Sequence, residues 1–292
     1  MGDPPSPGTG RSRPTVLITG GSSGIGTACV RAFVQAGYRV WFTYRSGEQA
    51  AASLVDEVGE QNAVTYYLDQ GDWDSVQQLV TELPAAPDAL VHCAGLGSAT
   101  VNDYATEPQE RQRALLTVNA LGPLWLTEAL LPQMTRRGRQ AKIVFLASVG
   151  GGITQFPAFN QADGMSKAAV AFLARNLAAN LVHDPVDVFA VCPGATDTPM
   201  LQASTLSKLT PPQRSALINA LPGSRLIIPQ EIADLVLFLC SSSAGALHGC
   251  ILDASLGLGV RPGLLTELPP PAGPAGLGPV VGVRNDTGRR SG

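Results

Sequence analysis

Three glycines, Gly20, Gly24 and Gly26, stand where a phosphate would need them. The run Thr19-Gly20-Gly21-Ser22-Ser23-Gly24-Ile25-Gly26 follows an apolar stretch, Thr15 to Ile18, and precedes an amphipathic one, Thr27 to Ala36. Glycine lets the backbone turn tightly and approach a ligand where a Cβ would clash. The helix beyond offers unpaired N–H groups and the positive end of its dipole, which suit a phosphate. Between a strand and a helix, such a run signals a dinucleotide site, with a ligand-free turn as the alternative. Arg45 follows Tyr44 at the end of the second predicted strand, where a dinucleotide fold meets the adenosine ribose. An acidic residue there favours a free 2′-hydroxyl and an arginine accommodates a 2′-phosphate, so Arg45 points to NADP(H). A solvated surface arginine is the alternative. Asp69 follows the third predicted strand, within reach of an adenine.

The elements that must position these residues alternate along the chain. After the first strand, 15–18, further strands are predicted at 38–43, 63–68, 88–92, 142–147, 186–191 and 250–253. Helices are predicted at 27–36, 48–58, 73–83, 107–134, 163–182 and 229–240. Along 163–182, Met165, Ala169, Phe172, Leu173 and Leu177 fall on one side at helical spacing. Residues 195–228 are loop-rich with short helices, as in a substrate lid. The alternation implies an α/β fold: a doubly wound, parallel, seven-stranded sheet of Rossmann type with helices on both faces. Ligands of such sheets bind outside the strand carboxyl ends. Gly20, Arg45, Asp69, Cys93, Ser148 and Pro193 all stand at such ends.

The totals bound the rest. With 45% apolar residues in 292, one large domain over 14–260 has enough material for its core. A net charge of −3 gives no sign of a nucleic-acid or anionic-membrane partner. No apolar run approaches the roughly 20 residues that span a bilayer. Residues 1–13 lack an apolar signal region and read as a floppy extension. The Pro/Gly-rich tail, 261–292, reads as disordered or draped on a partner. Cys29, Cys93, Cys192, Cys240 and Cys250 form no C-x-x-C pair and read as small hydrophobes of a reducing cytoplasm. His92, His183 and His248 are scattered, so no metal site is expected.

From about Pro14 to Val260 the chain resembles the short-chain dehydrogenase/reductase family. The motifs that carry the likeness are the glycine turn, Asp69, Cys93-Ala94-Gly95, Val118-Asn119, Ser148, Ser166-Lys167-Ala168-Ala169, Pro193-Gly194 with Thr198, and Gly249-Cys250-Ile251-Leu252-Asp253. The resemblance implies that Gly20, Ser22, Ser23, Gly24, Ile25, Gly26, Tyr44, Arg45, Asp69, Cys93, Ala94, Gly95, Pro193, Gly194, Thr196 and Thr198 hold NADP(H), with Lys167 on the nicotinamide ribose. It also implies catalysis by Ser148, Lys167 and Asn119 with a tyrosine four residues before the lysine, and association through the helices at 107–134 and 163–182.

That tyrosine position is Asp163. Tyr66, Tyr67 and Tyr104 belong to other elements, and Phe156 and Phe159 carry no proton. The interval from Ser148 to Asp163 is also longer than the family shows, by about two residues. A phenol starts near pKa 10 and a carboxyl near 3.9, and a neighbouring Lys167 is expected to push the carboxyl lower still. Raising it by about three units would need roughly 4 kcal/mol of desolvation. Three functional readings and one structural reading follow. The chain resembles the tyrosine-less partner subunit of the two-component dehydrogenase of aminocoumarin antibiotic pathways, implying a homo- or hetero-oligomer acting with an active paralogue on a β-hydroxy/β-keto acyl or aminoacyl substrate, carrier-bound or small. It also resembles imine-reducing members in which an acidic residue replaces the tyrosine. A third reading is a β-ketoacyl reductase with a proton relay through Ser148 or water. The structural alternative makes Asp163 a helix N-cap, paired at i, i+4 with Lys167.

Overall fold

The computed structural model describes residues 13–156 and 159–261. Apart from Arg13 and Arg261, the predicted extension and tail lie outside the described residues. Arg13 is tied down, its Nε donating to the Gly37 carbonyl at 2.7 Å.

Seven strands form one parallel sheet: β1 (Thr15–Thr19), β2 (Arg39–Tyr44), β3 (Ala63–Tyr67), β4 (Ala89–His92), β5 (Ala141–Leu146), β6 (Val186–Pro193) and β7 (Ile251–Ala254). Their order is β3-β2-β1-β4-β5-β6-β7. The expected doubly wound sheet is therefore present, with its switch of direction between β1 and β4. Chain leaving those two strands turns opposite ways, which opens a crevice at their carboxyl ends.

The strands are apolar because both faces are covered. Side chains alternate along a strand, and β1 shows the division. Val16 and Ile18 pack in one core with α1 (Gly24–Gln35), α2 (Glu48–Val58) and α9 (Pro229–Leu239). Leu17 packs in the other with α3 (Trp73–Glu82), α5 (Gly122–Arg136) and α6 (Gln161–Asn180).

The predicted helix at 107–134 is α4 (Pro108–Leu116) and α5 joined through a π-helical turn, Thr117–Leu121. The continuous 29-residue helix, Pro108–Arg136, is long and apolar enough to cross a membrane by length and composition. The expectation that no segment approaches that size is thus corrected. Half of its most apolar window is buried within the fold, where Leu126, Leu130 and Met134 join the second core.

Helix α6 starts two residues before its predicted start. Asn160 is its N-cap, accepting the Asp163 amide at 3.1 Å. Asp163 is therefore the third residue of the helix, and the reading of it as the cap is corrected. The apolar stripe predicted along α6 is divided: Leu173 and Leu177 pack on the second core, whereas Met165 is 58% and Phe172 71% exposed. The buried side instead carries Ala162, Asp163, Ser166, Val170, Ala174 and Ala178, small residues that let the helix lie close to β6.

The segment predicted as loop-rich contains α7 (Pro199–Ser204) and α8 (Pro211–Ala220) with two 3-10 turns. Its ends are clasped: the Asp197 amide donates to Ile227 O and the Ile227 amide to Ala195 O, each at 2.9 Å.

Candidate active site

The glycine turn is shaped by contacts that exclude side chains. Gly20 and Gly24 have φ of +67° and +53°. A Cβ on Gly26 would lie 2.2 Å from the Gly20 carbonyl oxygen. The turn is stitched to its neighbours: the Gly20 amide donates to Thr43 Oγ1 at 3.1 Å, and the Ala94 amide to Thr19 Oγ1 at 3.0 Å. Ser23, the extended N-cap of α1, makes no side-chain cap bond, and Ser22 is partly buried while Ile25 packs on the first core. This cradle of glycine backbone at a helix amino end fits the phosphates of a dinucleotide.

Thr198 caps α7 through the Leu201 amide at 3.3 Å, and its Cγ2 lies 3.2 Å from the place a Gly24 Cβ would take. Thr196 is buried and donates to the Gly194 carbonyl at 3.0 Å, and Pro193 is buried as the last residue of β6. The segment after β6 thus comes down onto the glycine turn.

At the other end of the crevice, Arg45 and Asp69 are joined by a residue the sequence reading did not assign. The Arg45 guanidinium carbon lies 4.6 Å from the centroid of the Tyr104 ring. The Tyr104 hydroxyl donates to Asp69 Oδ1 at 3.2 Å, and the Gly71 amide donates to the same oxygen at 2.9 Å. Burial and the Asp69 carboxylate push the phenol pKa up to about 12. Tyr44 stacks edge-on against Tyr67.

The proposed catalytic residues converge between β4, α6 and β6. Asn119 sits in the π-helical turn, a common place for functional residues. Its amide is fully engaged: Nδ2 donates to Leu96 O and to Ser166 Oγ, each at 2.9 Å, and Oδ1 accepts from Leu96 N at 2.6 Å. Ser166 in turn donates to the Asp163 carbonyl at 2.7 Å. Asn119 therefore pins the segment after β4 to the first turn of α6.

Asp163 is 5% exposed, and its Oδ2 accepts the Ser98 amide at 3.1 Å. Burial raises its pKa above the ordinary value, against the opposing pull of Lys167 and Ser98. Lys167 does pull it down, as expected, but lost solvation outweighs the lysine, so the expected net position below the ordinary carboxyl range is corrected to one above it. Burial likewise lowers Lys167, against Asp163 and Cys192. A Cβ on Gly95 would lie 3.3 Å from Lys167 Nζ and 3.2 Å from Asn119 Oδ1, so Gly95 leaves room beside both.

Ser148 accepts the Gly150 amide at 3.2 Å, which leaves its own hydroxyl hydrogen uncommitted by that bond. Its backbone amide faces the Cys192 sulfur, whose thiol burial pushes up to about 12. Cys192 thereby links Ser148 to Lys167. Its signal was present in sequence as the residue before Pro193-Gly194; the signal for Tyr104 was not. Cys93 is half-buried and faces Cys29 across the start of α1.

A family profile described as Enoyl-(Acyl carrier protein) reductase matches residues 20–258. The uncharacterised oxidoreductase YmfI of Bacillus subtilis is 31% identical over 251 residues, 83% of this chain and 98% of its own. The chain belongs to the short-chain dehydrogenase/reductase family. Among solved structures of similar fold, an actinorhodin polyketide ketoreductase determined with NADPH has a TM-score of 0.75 and 27% identity, covering 85% of this chain and 97% of its own. BdcA in complex with NADPH has a TM-score of 0.70 and 30% identity, covering 83% and 93%.

Within this short-chain dehydrogenase/reductase, the tyrosines are occupied away from Lys167. Tyr38 packs on Phe33, Tyr44 on Tyr67, and Tyr104 bonds Asp69, while Tyr66 lies within β3. The aromatic nearest the start of α6 is a phenyl: the Phe159 ring lies 3.4 Å from the places that Cβ atoms would take on Gly150 and Gly164.

Proposed function

We propose that this chain is an NADP(H)-dependent oxidoreductase in which Asp163 takes the place of a proton-shuttling phenol, and that its preferred acceptor is a carbon–nitrogen double bond carrying positive charge. The observation that carries the reading is the division of labour at the start of α6. Asn160 does the capping, so the Asp163 carboxylate is held, buried, one turn before Lys167 for another purpose.

The chemistry follows from what a carboxylate does well. An iminium carbon takes hydride and the electron pair of its C=N bond returns to nitrogen, so no proton is needed at the acceptor. Asp163 favours the cation before transfer, in a site where little water screens its field. Bound NADPH would supply the hydride. The glycine turn and the start of α1 would hold its phosphates, Arg45 the 2′-phosphate, and Lys167 the nicotinamide ribose. Asn119 keeps the segment after β4 in register with α6. The five unpaired cysteines support a reducing, cytoplasmic setting.

A second reading is supported by the exposed Met165 and Phe172 on α6. Such apolar side chains suit contact with another subunit, either a second copy or a tyrosine-bearing paralogue. In the latter case the pair would act on a β-hydroxy/β-keto acyl or aminoacyl group, free or carrier-bound, in specialised-metabolite (antibiotic) assembly.

NADPH consumption by the purified chain separates the readings, with cyclic imines and β-ketoacyl thioesters as substrates. Imine reduction that falls on the order of 100-fold in kcat/KM in Asp163→Asn supports the first. Imine reduction indifferent to that change overturns it. Thioester activity that appears only with a tyrosine-containing paralogue supports the second. Thioester reduction by the chain alone would instead point to Ser148 or water as the relay.

A further inference from the structure

Arg45 and Asp69 are the two side chains assigned to the adenosine end of the nucleotide, and both are already in use. Tyr104 presents the face of its ring to the Arg45 guanidinium, 4.6 Å from the centroid, well inside the roughly 6 Å of a cation–π contact. Its hydroxyl donates to Asp69 Oδ1 at 3.2 Å. The phenol sits in a notch that a glycine makes possible. A Cβ on Gly71 would overlap the Tyr104 hydroxyl and would lie 2.8 Å from Val118 Cγ2.

An adenine asks for the same two contacts. It is a flat π surface that an arginine can cover, and its exocyclic amine is a donor that a carboxylate can accept. A ring with a donor on its rim is what Tyr104 supplies from within the chain. Both rings cannot lie between Arg45 and Asp69 together.

Tyr104 is also placed where it can leave. It is half-buried and lies just past a 3-10 turn, Thr100–Asp103, in the short connection before α4. Its neighbours Asn102, Asp103 and Thr106 are exposed. They border a small open cavity with Tyr104 and Glu110.

We propose that Tyr104 is a built-in competitor of the adenine ring: it fills the adenosine end of the crevice in the free chain and must swing out when the dinucleotide binds. This inference rests on the NADP(H) reading above. It deepens that reading by making the affinity of the nucleotide depend on a residue that does not contact it in the bound state. It also confines the effect to the adenosine half, since the glycine turn and Lys167 do not touch Tyr104.

Calorimetric titration of the full chain tests this with three probes: NADPH, adenosine 2′,5′-bisphosphate, and reduced nicotinamide mononucleotide, which lacks the adenosine half. Tyr104→Ala is expected to bind the first two about tenfold tighter, the equivalent of about 1.4 kcal/mol, with the mononucleotide unchanged. Tyr104→Phe keeps the ring and loses the bond to Asp69, so it should fall between. In the wild-type chain, NADPH should speed amide hydrogen exchange across residues 100–107, a readout that also serves should the alanine variant fold poorly.

Wild-type binding of NADPH that is unchanged or weakened in both variants, or exchange across 100–107 that slows, overturns the inference and leaves the NADP(H) reading standing. Failure of the wild type and both variants to bind NADPH, with cooperative melting retained, overturns both.

Discussion

At the scale of single residues, the informative side chains are those whose surroundings contradict their chemistry. His92 is one. It is buried at the end of β4, stacked on Phe145 with ring centroids 4.7 Å apart, and its Nε2 meets Thr127 Oγ1 at 2.9 Å. Its Nδ1 has no partner among the described residues. Burial lowers its pKa from 6.5 to about 3. The folded chain therefore binds this proton less readily than the unfolded chain, and the stability it supports is present above pH 6.5 and lost as pH falls toward 3. Denaturant melts should show this group contributing a slope of about 1.4 kcal/mol per pH unit across that window, and His92→Leu should flatten it. An unaltered acid limb in the variant would assign the loss to other groups. The same contrast explains what could be read beforehand at this scale. Gly20, Gly24, Gly26, Arg45 and Asp69 were legible because strand ends and glycine spacing mark them in one dimension. The lysine four residues after Asp163 was equally visible, but the burial that outweighs it was not. Tyr104 reaches Asp69 from 35 positions away, and nothing local announces that.

At the scale of elements, the connection between β5 and α6 is held by direct contact of backbones. The Gly151 amide donates to Thr154 O at 2.9 Å, closing the turn on itself. Gly151 has φ of +96°, and a Cβ there would lie 2.4 Å from the Gly164 carbonyl oxygen on α6. Turn and helix backbones meet with no side chain between them. Gly151→Ala is expected to destabilise the protein by at least about 1–3 kcal/mol through strain alone, with the overlap added. Gly150→Ala should cost less, because the nearest described atoms to a Cβ there are the ring edges of Phe156 and Phe159, at 3.3 and 3.4 Å. Thermal melts in which Gly150→Ala is the worse of the two would contradict this account of the turn. Sequence periodicity located α2 and α9 well because their apolar faces point at the sheet. It misplaced the start of α6, since Asn160 and Asp163 are both good capping residues and only the bond to Asn160 decides. It put Met165, Phe172, Leu173 and Leu177 on one side without separating the two that reach the core from the two that face outward: apolar spacing says that a face is sticky, not what it sticks to.

At the scale of the molecule, the sheet divides the work between its two edges. The carboxyl edge gathers the glycine turn, Arg45, Asp69, Ser148 and the segment after β6. The amino edge holds charge for stability: Lys142 on β5 and Asp187 on β6 pair across the register at 2.6 Å, both buried. Asp187→Asn would leave a buried ammonium without its counter-ion, a loss of about 3–5 kcal/mol, and should leave NADPH affinity unchanged where the variant remains folded. A parallel fall in affinity would show that the two edges are not independent. The clasp between Thr196 and Ile227 divides the molecule in another way. The chain between those residues is a handle with both feet planted side by side, so insertions, deletions or whole transplants within it need not move the strands beneath. The grip on the dinucleotide, Thr198 against the glycine turn included, can then be inherited intact while the handle beyond Thr198 is rewritten for new cargoes.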